Sequence, residues 1–188
     1  MGLKLITAPA TTPVTLAEAK VYLNISDTSQ DTKLTALIAA ATSYLDGPSG
    51  YLGRAIYTQT WELHLDDFPD AIEIPLGPVA SVSSVKYYDT ASVLQTISTA
   101  NYQTDLISSS QWIVPISTYT WPDVAEGINN VVIQFVAGSA TPPEAIKVGI
   151  LMLVADWFDA PEASSDKAMS EMPHRVAAVL SNHRAYGV

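Results

Sequence analysis

Four acidic residues that lie close together in the sequence are the side chains best placed to do chemistry. They are Asp66, Asp67, Asp70 and Glu73. Carboxylate oxygens are the ligands that Ca²⁺ prefers, but the spacing does not match an Asp-x-Asp-x-Asp-Gly calcium loop. The pattern therefore favours a solvated turn between two strands over a metal site.

Catalytic patterns are absent from the sequence. His64, His174 and His183 are scattered along the chain, and no nucleophile-elbow, metalloprotease, phosphate-loop or dinucleotide-binding motif is present. We therefore expect a protein that is not an enzyme and has no cofactor. Two alternatives stay open at this stage: an enzyme that uses the four carboxylates, and a sheet domain that binds a small ligand.

The charge is distributed unevenly along the chain. The formal net charge is −10, and residues 55–141 carry nine acids against one base, Lys86, which is a net charge of −8. Such a surface repels phosphate backbones and does not release their counterions. This distribution argues against tight, sequence-specific binding of nucleic acid.

Length and composition predict one folded domain. The chain has 188 residues, 48% of them hydrophobic, and no cysteine. Its longest strongly apolar stretch, residues 149–155, falls far short of the roughly 20 residues needed to span a bilayer. The first residues do not resemble a secretory signal. We expect no membrane association and a protein that stays in the cell where it is made.

The elements that must position these residues begin with two helices. Thr15 and Glu18 have the spacing of a capping box at a helix start, and this helix should run to about Leu23. Residues 26–29 should then provide the N-cap of a second helix, which should end at Gly47-Pro48. Its apolar stripe has helical spacing and consists of Leu34, Leu37, Ile38, Ala41 and Leu45.

The middle of the chain changes to a period of two. Residues 57–65 alternate in polarity, and so do residues 72–76, where Pro75 suggests an edge strand. Further strands are predicted at 82–88, 93–97, 111–114 and 131–137. Together these segments predict a compact antiparallel sheet.

The end of the chain returns to a helical period. A helix should follow Pro142-Pro143, and its apolar residues from Ile146 to Phe158 lie on nearly every face. Such a helix is either a central core helix or part of a subunit interface. After residues 160–171, a last helix should begin at Pro173 and end near Gly187.

These segments predict an α+β fold. N- and C-terminal helices, within residues 13–54 and 142–187, should form a small helical bundle, and an antiparallel β module should be inserted at about residues 55–141. Residues 1–188 would then be one domain.

The ordered segments resemble the head–tail connector, or head-completion adaptor, family of tailed bacteriophages and prophages. Each matching motif is weak alone, and their combination in the expected order over most of the chain carries the resemblance. The matching stretches are residues 13–20, 34–45, 58–63, 74–79, 85–89, 143–147 leading to 155–158, and 172–173 leading to Arg184.

The resemblance implies a structural virion protein made in the bacterial host cytoplasm and located in the virion neck. Family rings are usually twelve-fold and lie beneath the portal protein, where they extend the DNA channel and offer a surface for tail attachment. The implied partners are other copies of the chain, the portal, a stopper or tail-completion protein, and double-stranded DNA in non-specific passage. Another neck or tail-completion protein is the alternative.

Under this implied function, two groups of residues become candidate contact sites. Trp157 and Phe158 are candidates for the subunit or portal interface, because large aromatic residues anchor interfaces. Trp157 also fits ordinary core packing. Arg175 and Arg184 could pair with an acidic neighbour or with the portal. Asp66, Asp67, Asp70 and Glu73 become candidates for a surface that faces a partner or the DNA lumen.

Overall fold

The computed structural model describes residues 1–159 and 172–185, and these form two compact units. The sheet unit consists of residues 1–10 and 58–140. The helical unit consists of residues 11–57 and the described residues from 141 onward. The α+β class predicted from periodicity is confirmed. The assignment of residues 1–188 to a single adaptor domain stays a prediction.

The helical unit contains four helices, α1 to α4, in its described residues. Helix α1 spans Leu16–Tyr22, α2 spans Asp31–Leu45, α3 spans Glu144–Asp159 and α4 spans His174–Leu180, followed by a 3₁₀ turn at Ser181–His183. The last helix therefore ends before the predicted Gly187, which lies outside the described residues. After the 3₁₀ turn the backbone of Arg184 is extended.

Helix α3 is the central helix of this unit. It contacts α1, α2 and α4, and its residues Ile150, Leu153 and Val154 have no solvent exposure. Gly149 lies so close to α4 that an added Cβ would stand 2.8 Å from Leu180 Cδ2, so glycine permits this close approach. The buried residues thus form one helical stripe along α3, which favours the core alternative for that face, while Val148 on another face is exposed.

The start of α1 was predicted correctly, and the start of α2 was not. Thr15 and Glu18 form the expected capping box, with the Thr15 backbone N–H donating to Glu18 Oε2 at 2.7 Å. The N-cap of α2 is Gln30, and its side chain makes no capping hydrogen bond. Asp27 instead accepts from the backbone N–H of Ser29 at 2.8 Å, because a short polar side chain readily closes a local turn.

The sheet unit contains two antiparallel sheets, whereas the sequence predicted one. The five-stranded sheet has the order β1-β2-β8-β4-β5, and the three-stranded sheet has the order β3-β7-β6. The strands are β1 Gly2–Thr7, β2 Gln59–Leu65, β3 Ile72–Ile74, β4 Val79–Tyr88, β5 Leu94–Ile97, β6 Tyr102–Asp105, β7 Gln111–Pro115 and β8 Val131–Ala137.

Alternating burial explains why β2, β3 and β8 were predictable. In β8 every second residue is buried, and β2 follows the same rule from Gln59 to Leu63. Strand β3 lies at the edge of its sheet, as Pro75 indicated. Strands β1 and β6 were missed because nearly all of their residues are exposed, so neither shows the alternation of a half-buried strand.

The capping box gives a direct stability prediction. We expect Thr15→Ala to lower the free energy of unfolding by about 1 kcal/mol, because the Glu18 backbone N–H loses its acceptor. Urea denaturation followed by circular dichroism measures the change. The control is Thr32→Ala on exposed α2 surface, which should stay within about 0.5 kcal/mol of the parent. Equal effects of the two substitutions would contradict the capping role.

The same box predicts a pH dependence. Hydrogen bonds from the Thr15 backbone and hydroxyl lower the pKa of Glu18 below 4.5, and nearby Lys147 lowers it further. A carboxyl with a lowered pKa stabilises the folded state above its unfolded pKa, and this contribution disappears as the pH falls through the folded value. Glu18→Gln should therefore destabilise the protein at neutral pH, and the difference from the parent should vanish well below pH 4.5. A pH-independent difference would refute the assignment.

Candidate functional site

Trp157 is a core residue of the helical unit. Only 8% of its surface is exposed, and its ring meets the ring of Tyr44 edge-on with a centroid distance of 6.0 Å. It packs among the buried residues of α2, α3 and α4. Of its two interpretations from sequence, core packing is the one that this environment favours.

Phe158, the next residue, lies at the margin of the same core and is partly buried. The ammonium group of Lys33 stands 4.4 Å from the centroid of its ring, and Lys33 Nζ also donates to the Phe158 carbonyl oxygen at 3.2 Å. This cation–π contact fixes the end of α3 against the start of α2. The ring of Phe158 is therefore already in contact with a cation, the ammonium group of Lys33.

The two arginines of the candidate interface make contacts within the helical unit. Arg175 forms an ion pair with Asp156, although 62% of its own side chain remains exposed. The guanidinium of Arg184 lies 4.5 Å from the ring centroid of Tyr51, in the turn after α2. Both side chains therefore lie at the surface of the helical unit with their orientation set by a neighbour.

A third arginine, not singled out by the sequence analysis, holds the end of the described chain in place. Arg54 Nη1 donates to the carbonyl oxygen of His183 at 3.4 Å, and the Ala185 backbone N–H donates to the carbonyl oxygen of Leu52 at 2.8 Å. Burial lowers the pKa of Arg54. The turn after α2 and the segment after α4 are thus tied together, which positions Arg184 beside Tyr51. No spacing in the sequence signals this long-range pairing.

The four candidate acids, all of them in the sheet unit, lie in different surroundings. Asp66 Oδ1 accepts from the backbone N–H of Asn129 at 2.9 Å, and Glu73 lies exposed on β3 opposite Trp112. Asp67 and Asp70 line a cleft of about 380 Å³, where Asp123 joins them from a distant part of the chain. The structure therefore brings together only two of the four predicted acids, and it adds one that was not predicted.

Stacked aromatic rings form the wall of this cleft. Phe68 and Trp121 are nearly parallel, with an interplanar angle of 10° and a centroid distance of 4.8 Å. Tyr119 meets Trp121 edge-on, and Tyr87 meets Phe68 edge-on. We call this site, defined by Asp67, Phe68, Asp70, Tyr119, Trp121 and Asp123, the acidic–aromatic cleft.

The aromatic part of the cleft was not predicted from the sequence. Both rings of the stack precede a proline, as Phe68-Pro69 and Trp121-Pro122, and both lie outside the strands. Large aromatic residues in proline-containing loops, next to acids, are the signal that was available. Their pairing across more than 50 residues is a tertiary feature, which no local period encodes.

Residues 1–159 and 172–185 contain no group of three or more acids or histidines placed to hold a metal ion. Within the same ranges, each helix is too short or too polar to cross a bilayer.

Comparison with known proteins places this chain in a family. Residues 13–120, more than half of the chain, match the family described as phage gp6-like head-tail connector protein. The chain therefore belongs to the phage gp6-like head-tail connector family. A comparison with curated protein sequences gives no match.

Solved structures share the fold over its full length. The chain is similar to one in the neck of an empty gene transfer agent particle computed with C6 symmetry, with a TM-score of 0.79 and 23% identity. A chain of the native gene transfer agent virion gives a TM-score of 0.78 at 22% identity. A chain in the neck of the native particle computed with C12 symmetry gives 0.70 at 23%. Each match covers 100% of this chain and 97% of the other.

The different surroundings of Trp157 and Arg184 generate a prediction about stability. Trp157→Ala should lower the free energy of unfolding by about 3–5 kcal/mol, because it opens a cavity in the helical core. Arg184→Ala should cost no more than about 1 kcal/mol, because it removes one exposed cation–π contact. Urea denaturation of both variants, followed by circular dichroism, measures the two costs. A Trp157→Ala variant as stable as the parent would mean that the side chain is not part of the core.

Proposed function

We propose that this chain is a structural neck protein that forms a ring beneath the portal of a tailed phage or prophage particle. The ring extends the DNA channel and offers the surface to which the tail attaches. The observation that carries the proposal is the family match, joined to a fold that corresponds over the whole chain to a protein of a particle neck. The protein would be made in the bacterial cytoplasm and end in the virion neck.

A ring is the arrangement that the neck comparisons favour, since two of the similar chains come from necks computed with C6 and C12 symmetry. Identical subunits related by rotation bury head-to-tail contacts, and such contacts close into a ring only when the rotation closes. Each contact would bury about 800 Å² on each partner. A twelve-fold ring on the portal is the form that we propose.

Within this ring, we assign the contacts between copies and with the portal to the helical unit. Arg175 and Arg184 are its exposed cations among the candidates, and a partner's carboxylate can join the contact that each already makes. Phe158 contributes a partly buried aromatic ring to this surface. Trp157 supports this surface from the core behind it. A stopper or tail-completion protein would be the next partner along the neck.

Charge suggests how the sheet unit serves the same function. Lys4 and Lys86 are its only bases against nine acids, so the unit carries a net charge of −7. DNA would pass a surface of this kind without adhering, because the repulsion between acids and phosphates is not offset by released counterions. The DNA contact is therefore non-specific passage through the channel.

Reconstitution with the portal tests the proposal. The full chain, mixed with its portal protein, should form rings that electron microscopy resolves on one face of the portal. The double variant Arg175→Glu/Arg184→Glu should reduce ring occupancy, whereas the exposed control Lys4→Glu should not, because Lys4 lies in the sheet unit. A chain that stays monomeric at high concentration and does not bind the portal would contradict the proposal. A chain that binds the tail tube and not the portal would be a tail-completion protein.

A further inference from the structure

The acidic–aromatic cleft contains more than the proposed neck function requires of the sheet unit. A wall that only repels DNA needs exposed negative charge, and nothing more. This cleft adds a stacked aromatic pair, Phe68 and Trp121, with Tyr87 at a steep angle to Phe68 and Tyr119 nearly perpendicular to Trp121. Large aromatic faces kept at a surface are typical of binding sites.

The indole of Trp121 offers a hydrogen-bond donor that no described residue uses. Its Nε1 atom is shielded from solvent and has no hydrogen-bond acceptor among the described residues. An unsatisfied buried donor costs the folded protein about 1–3 kcal/mol. A bound segment that shifts the ring slightly and offers a carbonyl oxygen would remove this cost.

The carboxylates of the cleft have no positive partner within the described residues. None of the ion pairs there includes Asp67, Asp70 or Asp123. Asp67 Oδ1 accepts only a local hydrogen bond, from the backbone N–H of Phe68. Three exposed carboxylates are thus available around an aromatic surface.

We propose that the acidic–aromatic cleft binds an extended basic segment of a partner protein, with an arginine side chain packed against the exposed parts of its aromatic rings and held by the carboxylates. A planar guanidinium stacks on aromatic rings and pairs with carboxylates in the same pose, which a hydrated ammonium does less well. Both features of the cleft are then used by one side chain. The inference rests on the proposed neck function only in assigning the segment to a neighbouring virion protein.

A peptide titration tests the chemistry without any virion protein. The probe is a 12-residue peptide of alternating arginine and glycine, added to the full chain at low salt and followed by isothermal titration calorimetry. Asp70→Asn/Asp123→Asn should weaken binding about tenfold, which corresponds to about 1.4 kcal/mol. The control, Glu73→Gln/Glu126→Gln, removes the same charge from exposed acids outside the cleft and should weaken binding less than about threefold.

The aromatic half of the site has its own readout. The indole N–H resonance of Trp121, assigned by its loss in Trp121→Phe, should shift when the arginine peptide is added. It should not shift with a citrulline–glycine peptide, which keeps the shape of the side chain and lacks its charge.

Two results would overturn the proposal: equal weakening by the two double variants, or an unmoved Trp121 resonance. Ring formation on the portal and peptide binding, both measured with the parent chain, separate the two proposals. Rings without peptide binding would refute the cleft alone, and peptide binding without rings would refute the neck function alone.

Discussion

Helix α3 imposes the constraint on which the helical unit depends. Its buried residues, from Ile146 to Trp157, form one apolar stripe with helical spacing, and this stripe must be kept from water. The cover comes from α1 and α2, which precede it by about a hundred residues, and from α4, which follows it. The chain must therefore leave the helical unit after Tyr57, form the sheet unit, and return at Thr141. The helical unit is therefore discontinuous in sequence.

Most of the net negative charge of the chain lies in the sheet unit. The sheet unit carries −7 of the chain's −10, and the helical unit holds most of the bases. Several of those bases have structural partners: Lys20 pairs with Asp31, Lys33 with Phe158, and Arg54 is buried. The acids that line the cleft have none among the described ion pairs. Several charges of the helical unit thus have partners within the unit, whereas the carboxylates of the cleft are exposed and have no ion pair among the described residues.

Sequence period was a reliable guide wherever one face of an element is buried. The Thr15 capping box, the α2 stripe and the alternation of β8 were all predicted and found. The exposed strands β1 and β6 carry no such period and were missed. The candidate sites were harder, because they depend on residues far apart in the chain. Asp67 and Asp70 were foreseen, but their pairing with Asp123 and the stacking of Phe68 on Trp121 arise only from tertiary packing.

The central claim is that this chain is a ring-forming component of a particle neck. Cryo-electron microscopy of the neck, in particles assembled with the full chain, tests it most directly. The account predicts twelve copies in a closed ring in contact with the portal, with helical units at the contacts between copies. Density for the chain anywhere else in the particle, or a neck that assembles completely without it, would contradict the account.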